Sequence, residues 1–410
     1  MGSKYFKRLR FPEYYIVILL SLVVSVVALM AGHGEALNNV VWLRGNDLYM
    51  DFFNHISYST VEGWSNVYLQ GYNACFPPLP YIAYGLFGKM LPMDSTVIAS
   101  AAETSPYAML LYTLRCILLG IFYYYAFIMI FRKPRQSLAL AMTTLVSHVF
   151  IFGALERGNS AWLVCTLLLA AMAMKDSPSR VKREAALILI AVAAAFKIYP
   201  ALFGLLYLVE RRWKESVRLM IYGILLFFVP FAFFGGIEGF KQFLTNQQIL
   251  HSGSTSMGNV FWMAKQIRGL LKVDLHYYRI GIVLVTLLSC AGLVVLKEKW
   301  KKLMLICGMM ILLPKWSGIY TVFYFVIPLC VFMLEAEVNA LNRVRSVLFA
   351  GIFALVLYGS SWTGYYVVSY TQTAIQYLCI WAFMITLYIE VIINGWKYIK
   401  KMKQTGLLKR

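Results

Sequence analysis

Apolar runs recur along almost the whole chain. The first extends over about 15–31. Others follow near 106–131, 138–155, 160–174, 185–196, 200–209, 217–235, 278–296, 303–313, 319–334, 346–360 and 374–395. A bilayer-spanning helix needs about 20 predominantly apolar residues. The longer runs therefore predict spanning helices, and the shorter ones predict segments that break within the membrane. The expectation is an all-α polytopic membrane protein with about 12 membrane segments, organised as one domain over 1–410. Short basic connectors separate the runs: Arg132, Lys133 and Arg135; Lys175, Arg180, Lys182 and Arg183; Arg211, Arg212, Lys214 and Arg218; Lys297, Lys299, Lys301 and Lys302; Arg343 and Arg345. Cytoplasmic loops carry an excess of Lys and Arg, so these connectors and both termini are assigned to the cytoplasm. The first run, preceded by Lys4, Lys7, Arg8 and Arg10, is too long for a signal peptide and reads as an uncleaved anchor. Two long loops, 32–105 and 236–277, then face outward.

The topology conflicts with itself at 185–209, where both ends are basic although one spanning helix would put them on opposite faces. Two short segments meeting at Phe196-Lys197-Ile198-Tyr199-Pro200 resolve the conflict. Proline cannot continue a helix, and it disfavours helical backbone in Tyr199 before it. A second break is expected at Leu313-Pro314-Lys315-Trp316-Ser317-Gly318. Irregular backbone at that depth is tolerated only inside protein or beside a wet cavity. In the first outer loop, 47–55 has the mixed spacing of an interfacial helix, and Phe76-Pro77-Pro78 marks a turn before another short apolar stretch. In the second, helical patterns near 237–250 and 260–271 flank a Ser/Gly-rich link, which reads as a lid.

Composition agrees with a membrane protein: 60% of the 410 residues are hydrophobic and 14% charged. The net charge of +20, from 38 Lys and Arg against 18 Asp and Glu, would suggest nucleic acid in a soluble protein. Here most of the cations sit in the basic connectors and the two termini, so the charge reads as an orientation signal and no nucleic-acid partner is expected. Six of the seven cysteines lie in apolar runs, with Cys75 alone in a polar loop, which gives no disulfide framework.

The cations outside the connectors carry more information. Arg157 lies in the tight outer turn Glu156-Arg157-Gly158-Asn159, and Lys197 and Lys315 occupy the two breaks. A cation at membrane depth costs at least about 2.5 kcal/mol, so the three together imply a buried anion. A phosphate suits several convergent donors better than a carboxylate does. The bland alternative is ion pairing with Glu156, Glu238 or Asp51. Asp51 is the leading acid–base candidate, because partial desolvation at an apolar interface is expected to raise its proton affinity. Its competing reading is a helix cap or ion-pair partner. Asp47 lies one turn earlier, as a weaker candidate or a cap. His55, one turn later, reads first as a satisfied surface residue and second as a group that orients Asp51 or binds a hydroxyl. No His/Cys/carboxylate cluster has metal-ligand spacing and no nucleotide-type glycine loop is present, so neither metal nor cofactor is expected.

These residues resemble the integral membrane glycosyltransferases of the GT-C fold, and within them glycosyltransferase family 87, the polyprenol-phosphate-mannose-dependent mannosyltransferases and their bacterial relatives. The likeness rests on Asp51 followed by Phe76-Pro77-Pro78, on Glu156-Arg157-Gly158-Asn159, and on Lys197-Ile198-Tyr199-Pro200. The turn has Glu156 and Arg157 where the commoner family pattern is Gly-Gln-x-Asn. The resemblance implies an inverting transfer of a hexose, mannose first, from a polyprenyl-phosphate donor to a glycan or glycolipid acceptor, on the outer face of a bacterial plasma membrane. Asp51 would be the base. Lys197, Arg157 and Lys315 would hold the leaving phosphate, and Glu156, Asn159, His55, Asp47 and Tyr199 would complete the substrate site. No metal would be needed. Two other classes fit the topology: a polysaccharide polymerase or ligase acting on lipid-linked oligosaccharides, and a lipid-linked sugar transporter or flippase.

Overall fold

The structure, a computed structural model, describes residues 10–31, 49–60, 63–70, 74–90, 106–252, 255–271, 277–355 and 364–404. Every regular element among them is helical. Five helices are long and apolar enough to cross a membrane: Pro12–Ala31, Pro106–Phe131, Trp213–Phe233, Tyr278–Val295 and Gln372–Lys401. A sixth is reached if the bent pair Pro134–Leu145 and Val149–Leu155 counts as one span. The other expected segments are shorter helices, among them Ala161–Met174, Tyr199–Val209 and Ile319–Glu335. The chain divides into two compact units, one from Gly32–Ser254 and Gly318–Tyr324, the other from Met1–Ala31, Thr255–Ser317 and Phe325–Arg410.

In the first unit, Ala161–Met174 packs between Pro106–Phe131 and Arg180–Phe196, and Trp213–Phe228 packs on the other side of Arg180–Phe196. The bent pair turns by 72° because hydroxyl groups take over backbone bonds at the corner. Ser147 Oγ donates to the Thr144 carbonyl and accepts from the Phe150 amide at 3.1 Å. The Thr144 hydroxyl meets Tyr123 OH at 2.7 Å, which ties the corner to Pro106–Phe131.

The break after Phe196 falls where expected, but its form differs: the extended residue is Lys197, and Tyr199 itself begins a 3-10 turn, Tyr199–Phe203, with Pro200 second, that leads into Gly204–Val209. The outgoing helix spans about 25 Å and the return roughly 19 Å by their rises, both short of the about 30 Å hydrocarbon core. The ends of this hairpin meet. Lys175 Nζ, on a fully buried side chain, pairs with Glu210 and with Asp176, while Arg212 pairs with Asp176 at 2.9 Å and donates to the Lys175 carbonyl at 3.0 Å. Two basic connectors that are far apart in sequence are therefore bolted together by their few carboxylates.

In the second unit, Trp300, Phe332, Phe349 and Phe383 form an aromatic core. Two cations that had read as orientation charges are structural there. Lys301 bonds Glu298 and Glu390 at 2.7 Å each, and the buried Arg345 pairs with Glu390 and lies over Trp300. The second break is organised by Asn259. Its amide donates to the Pro314 and Lys315 carbonyls at 2.9 and 2.8 Å, and its oxygen caps the Trp262 amide. The second outer loop contains the two expected helices, Gly236–Ser252 and Val260–Leu271, one in each unit.

The segment 318–324 is seated on the bent pair at Gly153, where an added Cβ would lie 2.9 Å from the Tyr320 backbone N and Cα. Overpacking of this kind costs about 1–3 kcal/mol. Gly153→Ala is accordingly expected to lower the thermal unfolding midpoint in detergent by several degrees, and an unchanged midpoint would show that the close approach is not maintained in solution.

Candidate active site

The site is built where helix Met50–Thr60 starts against the 156–159 turn, entirely within the first unit. Two backbone bonds dock the pieces: Tyr49 N donates to Glu156 O at 2.7 Å and Asp51 N to Arg157 O at 2.9 Å. Gly158 has φ of +66°, and a Cβ there would come within 2.8 Å of Phe52 Cβ, so only glycine allows the two to meet. Tyr49 also has a positive φ, +59°, and its ring packs on Tyr112 with centroids 4.3 Å apart.

This docking delivers Asp51 to two donors. Arg157 Nη2 reaches Oδ1 at 2.9 Å, and Asn159 Nδ2 reaches Oδ2 at 2.5 Å. Asn159 Oδ1 meanwhile accepts from the Ala161 amide at 2.8 Å and so opens the next helix. About a fifth of the Asp51 and Arg157 side chains remains exposed. Burial pushes the Asp51 carboxyl up, but the Arg157 guanidinium, the Asn159 amide, His55 and the Lys197 ammonium together hold it below the usual carboxylate range. The expected rise in proton affinity is thus reversed, because the cations outweigh desolvation.

Lys197, at the apex of the broken hairpin, is only 2% exposed. Its Nζ makes no hydrogen bond to any described residue and lies over the rings of Tyr320 at 4.4 Å and Phe76 at 4.9 Å. Cation–π contact compensates only part of the lost hydration. Phe76 is fixed from behind: Asn246 donates to the Tyr68 and Ala74 carbonyls at 2.9 and 3.0 Å, and Gln247 donates to the Cys75 carbonyl. Helix Gly236–Ser252, expected as part of a lid, thereby anchors the loop that carries Phe76. Pro77 and Pro78 start the next helix, as their spacing implies.

His55 departs from the expected surface residue. It is 7% exposed, its Nδ1 has no partner among the described residues, and it lies among Phe76, Tyr81 and Tyr84. Burial pushes its imidazole down to about 4, against the upward pull of Asp51. Glu156 is buried and joins the site through its carbonyl. Tyr199 is half-buried at the break, edge-on to Tyr324. Glu238, one possible partner for the site cations, pairs instead with Lys241 at 2.6 Å. Lys315 belongs to the second unit, with its carbonyl held by Asn259 and by the Ser256 amide. Asp47 lies outside the described residues. Two neighbours were missed from sequence. Tyr320 is indistinguishable there from many interfacial tyrosines, whereas Arg115 is the lone charged residue of helix Pro106–Phe131 and was legible as such.

A family model described as Glycosyltransferase family 87 matches residues 92–314, more than half of the chain. The match includes Arg115, Arg157, Asn159 and Lys197, and stops short of Asp51 and Tyr320. No curated protein matches the chain.

The His55 shift has a signed consequence. Between pH 6.5 and about 4 the unfolded chain binds a proton at His55 that the folded site refuses, so folding stability falls as pH drops through that window. His55→Phe is expected to flatten this part of the unfolding midpoint's pH dependence. An identical slope in the variant would remove His55 as its source.

Proposed function

Because the chain belongs to glycosyltransferase family 87, we propose that it transfers a hexose, mannose first, from a polyprenyl-phosphate donor to a glycan or glycolipid acceptor on the extracytoplasmic face of the membrane, with inversion. The observation that carries this reading is the Asp51 carboxylate held between Arg157 and Asn159 beside a buried ammonium, Lys197, that makes no hydrogen bond. A base beside two cations within one largely buried site suits a reaction in which negative charge grows on a leaving phosphate.

In this mechanism the acceptor hydroxyl gives its proton to Asp51 as its oxygen bonds the anomeric carbon. The bond from that carbon to the phosphate oxygen breaks, and its electron pair leaves with polyprenyl phosphate. Lys197 and Arg157 stabilise that charge. As the phosphate draws on Arg157, the guanidinium's hold on Asp51 weakens and the carboxylate becomes a stronger base when the proton must move. Glu156 and Asn159 would bind sugar hydroxyls, with Asn159 also orienting Asp51. His55, neutral near pH 7, offers a hydrogen bond without a competing charge, and Tyr199 lines the break beside Lys197. The basic connectors support a cytoplasmic placement of both termini.

The test is transfer by the purified protein in detergent, offered radiolabelled polyprenyl-phosphate mannose and then glucose, with a lipid extract as acceptor. Asp51→Asn is expected to lower turnover by roughly 100- to 10,000-fold while donor still binds. Lys197→Ala is expected to weaken donor binding and to cut turnover by about 100- to 1,000-fold. Full activity in Asp51→Asn would sink the base assignment. Failure to bind any polyprenyl-phosphate sugar would turn the reading toward a polymerase, or toward a transporter, which acts only between two compartments. Arg157→Gln removes the main charge that depresses Asp51. The acid limb of its pH–rate profile is therefore expected at higher pH than in wild type, and a limb at the wild-type position would mean that the ion pair is not maintained during turnover.

A further inference from the structure

Arg115 is the only charged residue in the 26-residue helix Pro106–Phe131. A cation inside such a segment costs about 2.5–3.5 kcal/mol on insertion scales, so a compensating role is expected. Its Nη2 donates to the Gly158 and Asn159 carbonyls at 3.4 Å each. Its guanidinium lies 5.2 Å from the Phe52 ring centroid and 5.6 Å from that of Tyr112. Tyr112, one helical turn earlier, donates its hydroxyl to the Leu155 carbonyl and packs on Tyr49. One face of this helix therefore grips three carbonyls that bracket the catalytic turn, and it touches both residues that flank the start of helix Met50–Thr60. Carbonyls released where helices end need donors in a segment that water does not reach. A guanidinium fork can serve two of them at once, whereas an ammonium is a point charge.

We propose that Arg115 is a positioning residue of this site, holding the 156–159 turn from behind so that Arg157 and Asn159 meet the two oxygens of Asp51. Phe52 transmits the contact, wedged between the Arg115 guanidinium and Gly158. The inference rests on the reading of Asp51 as the base, but it does not depend on which donor is used. Besides Arg157, the titratable groups that face Asp51 are His55, Lys197, Cys75, Tyr84, Tyr199 and Tyr320. Arg115 itself acts on His55 and bonds Tyr84, so Arg115→Lys, which keeps the charge, isolates the effect carried by the turn.

The experiment pairs two measurements on the full-length protein in detergent. The first is the protonation of Asp51, followed by its infrared carboxyl band and assigned with Asp51→Asn. The second is steady-state transfer. Arg115→Gln and Arg115→Lys are both expected to shift the Asp51 band to titrate at higher pH. Both are also expected to cut kcat by about tenfold to a hundredfold with little change in donor KM, as for a misplaced catalytic group. Tyr112→Phe loses the hydroxyl's bonds to Leu155 and Cys116 and keeps every charge, and it is expected to move the band in the same direction by less. Wild-type turnover in Arg115→Lys, with a raised donor KM in Arg115→Gln, would overturn the proposal in favour of direct charge contact with the donor phosphate. A wild-type Asp51 titration in all three variants would also overturn it. A shifted band in a protein that transfers from no donor would keep Arg115 as the positioning residue and remove the proposed reaction. Normal transfer with an unmoved band would do the reverse.

Discussion

Asp51 is held at both carboxylate oxygens by neighbours on one tight turn, and much of the first unit is arranged around that grip. Arg157 and Asn159 can reach it only because helix Met50–Thr60 docks on the turn through its backbone, and that docking in turn requires glycine at 158. In an apolar surrounding such a cluster is demanding. Each buried donor or acceptor left unsatisfied costs about 1–3 kcal/mol, and a charge costs more. The polar groups around Asp51 therefore do two tasks at once. Asn159 orients the carboxylate and starts the next helix, and Gly158 closes the turn with its amide and receives Arg115 at its carbonyl.

Lys197 follows a different logic. Its position is set by a helix that stops short of a full span, at a residue followed within three places by proline. The return segment is held to the outgoing one by the Lys175, Asp176, Glu210 and Arg212 network, so the apex is fixed from its far end. The ammonium itself faces two aromatic rings and no hydrogen-bond acceptor among the described residues. Aromatic faces leave the charge on Lys197 uncancelled, where a carboxylate partner would neutralise it. An uncancelled buried charge of this kind suits the proposed transfer from a phosphate.

The basic connectors illustrate how one residue can serve two levels of organisation. By their number and spacing they carry an orientation signal. In the folded chain Lys175, Arg212, Lys301 and Arg345 are also bonded to the sparse carboxylates, and they tie connectors and helices that are remote in sequence. With 18 acidic residues against 38 basic ones, not every cation can have its own acid, and geometry selects the pairs that form.

Hydropathy and proline placement alone determined that the chain is helical and membrane-embedded, that the helices break at Lys197 and near Lys315, and that amphipathic helices occupy both long loops. They could do so because each of these features is set by neighbours within a few residues: an apolar run, a missing amide, a ring that excludes helical backbone. Asp51, Arg157, Asn159 and Lys197 were also legible as candidates, since charge in an apolar context is conspicuous. Arg115 is equally conspicuous, as the lone charged residue of its helix. What only the tertiary structure decided was who meets whom. Asp51 pairs with Arg157 across 106 positions, which reverses the direction of its expected shift. His55 is buried among aromatic rings, Tyr320 arrives on a segment seated against Gly153, and Lys315 is organised by Asn259 in the other unit. Proton affinity and burial depend on distances of a few ångströms between remote parts of the chain, and only packing sets those.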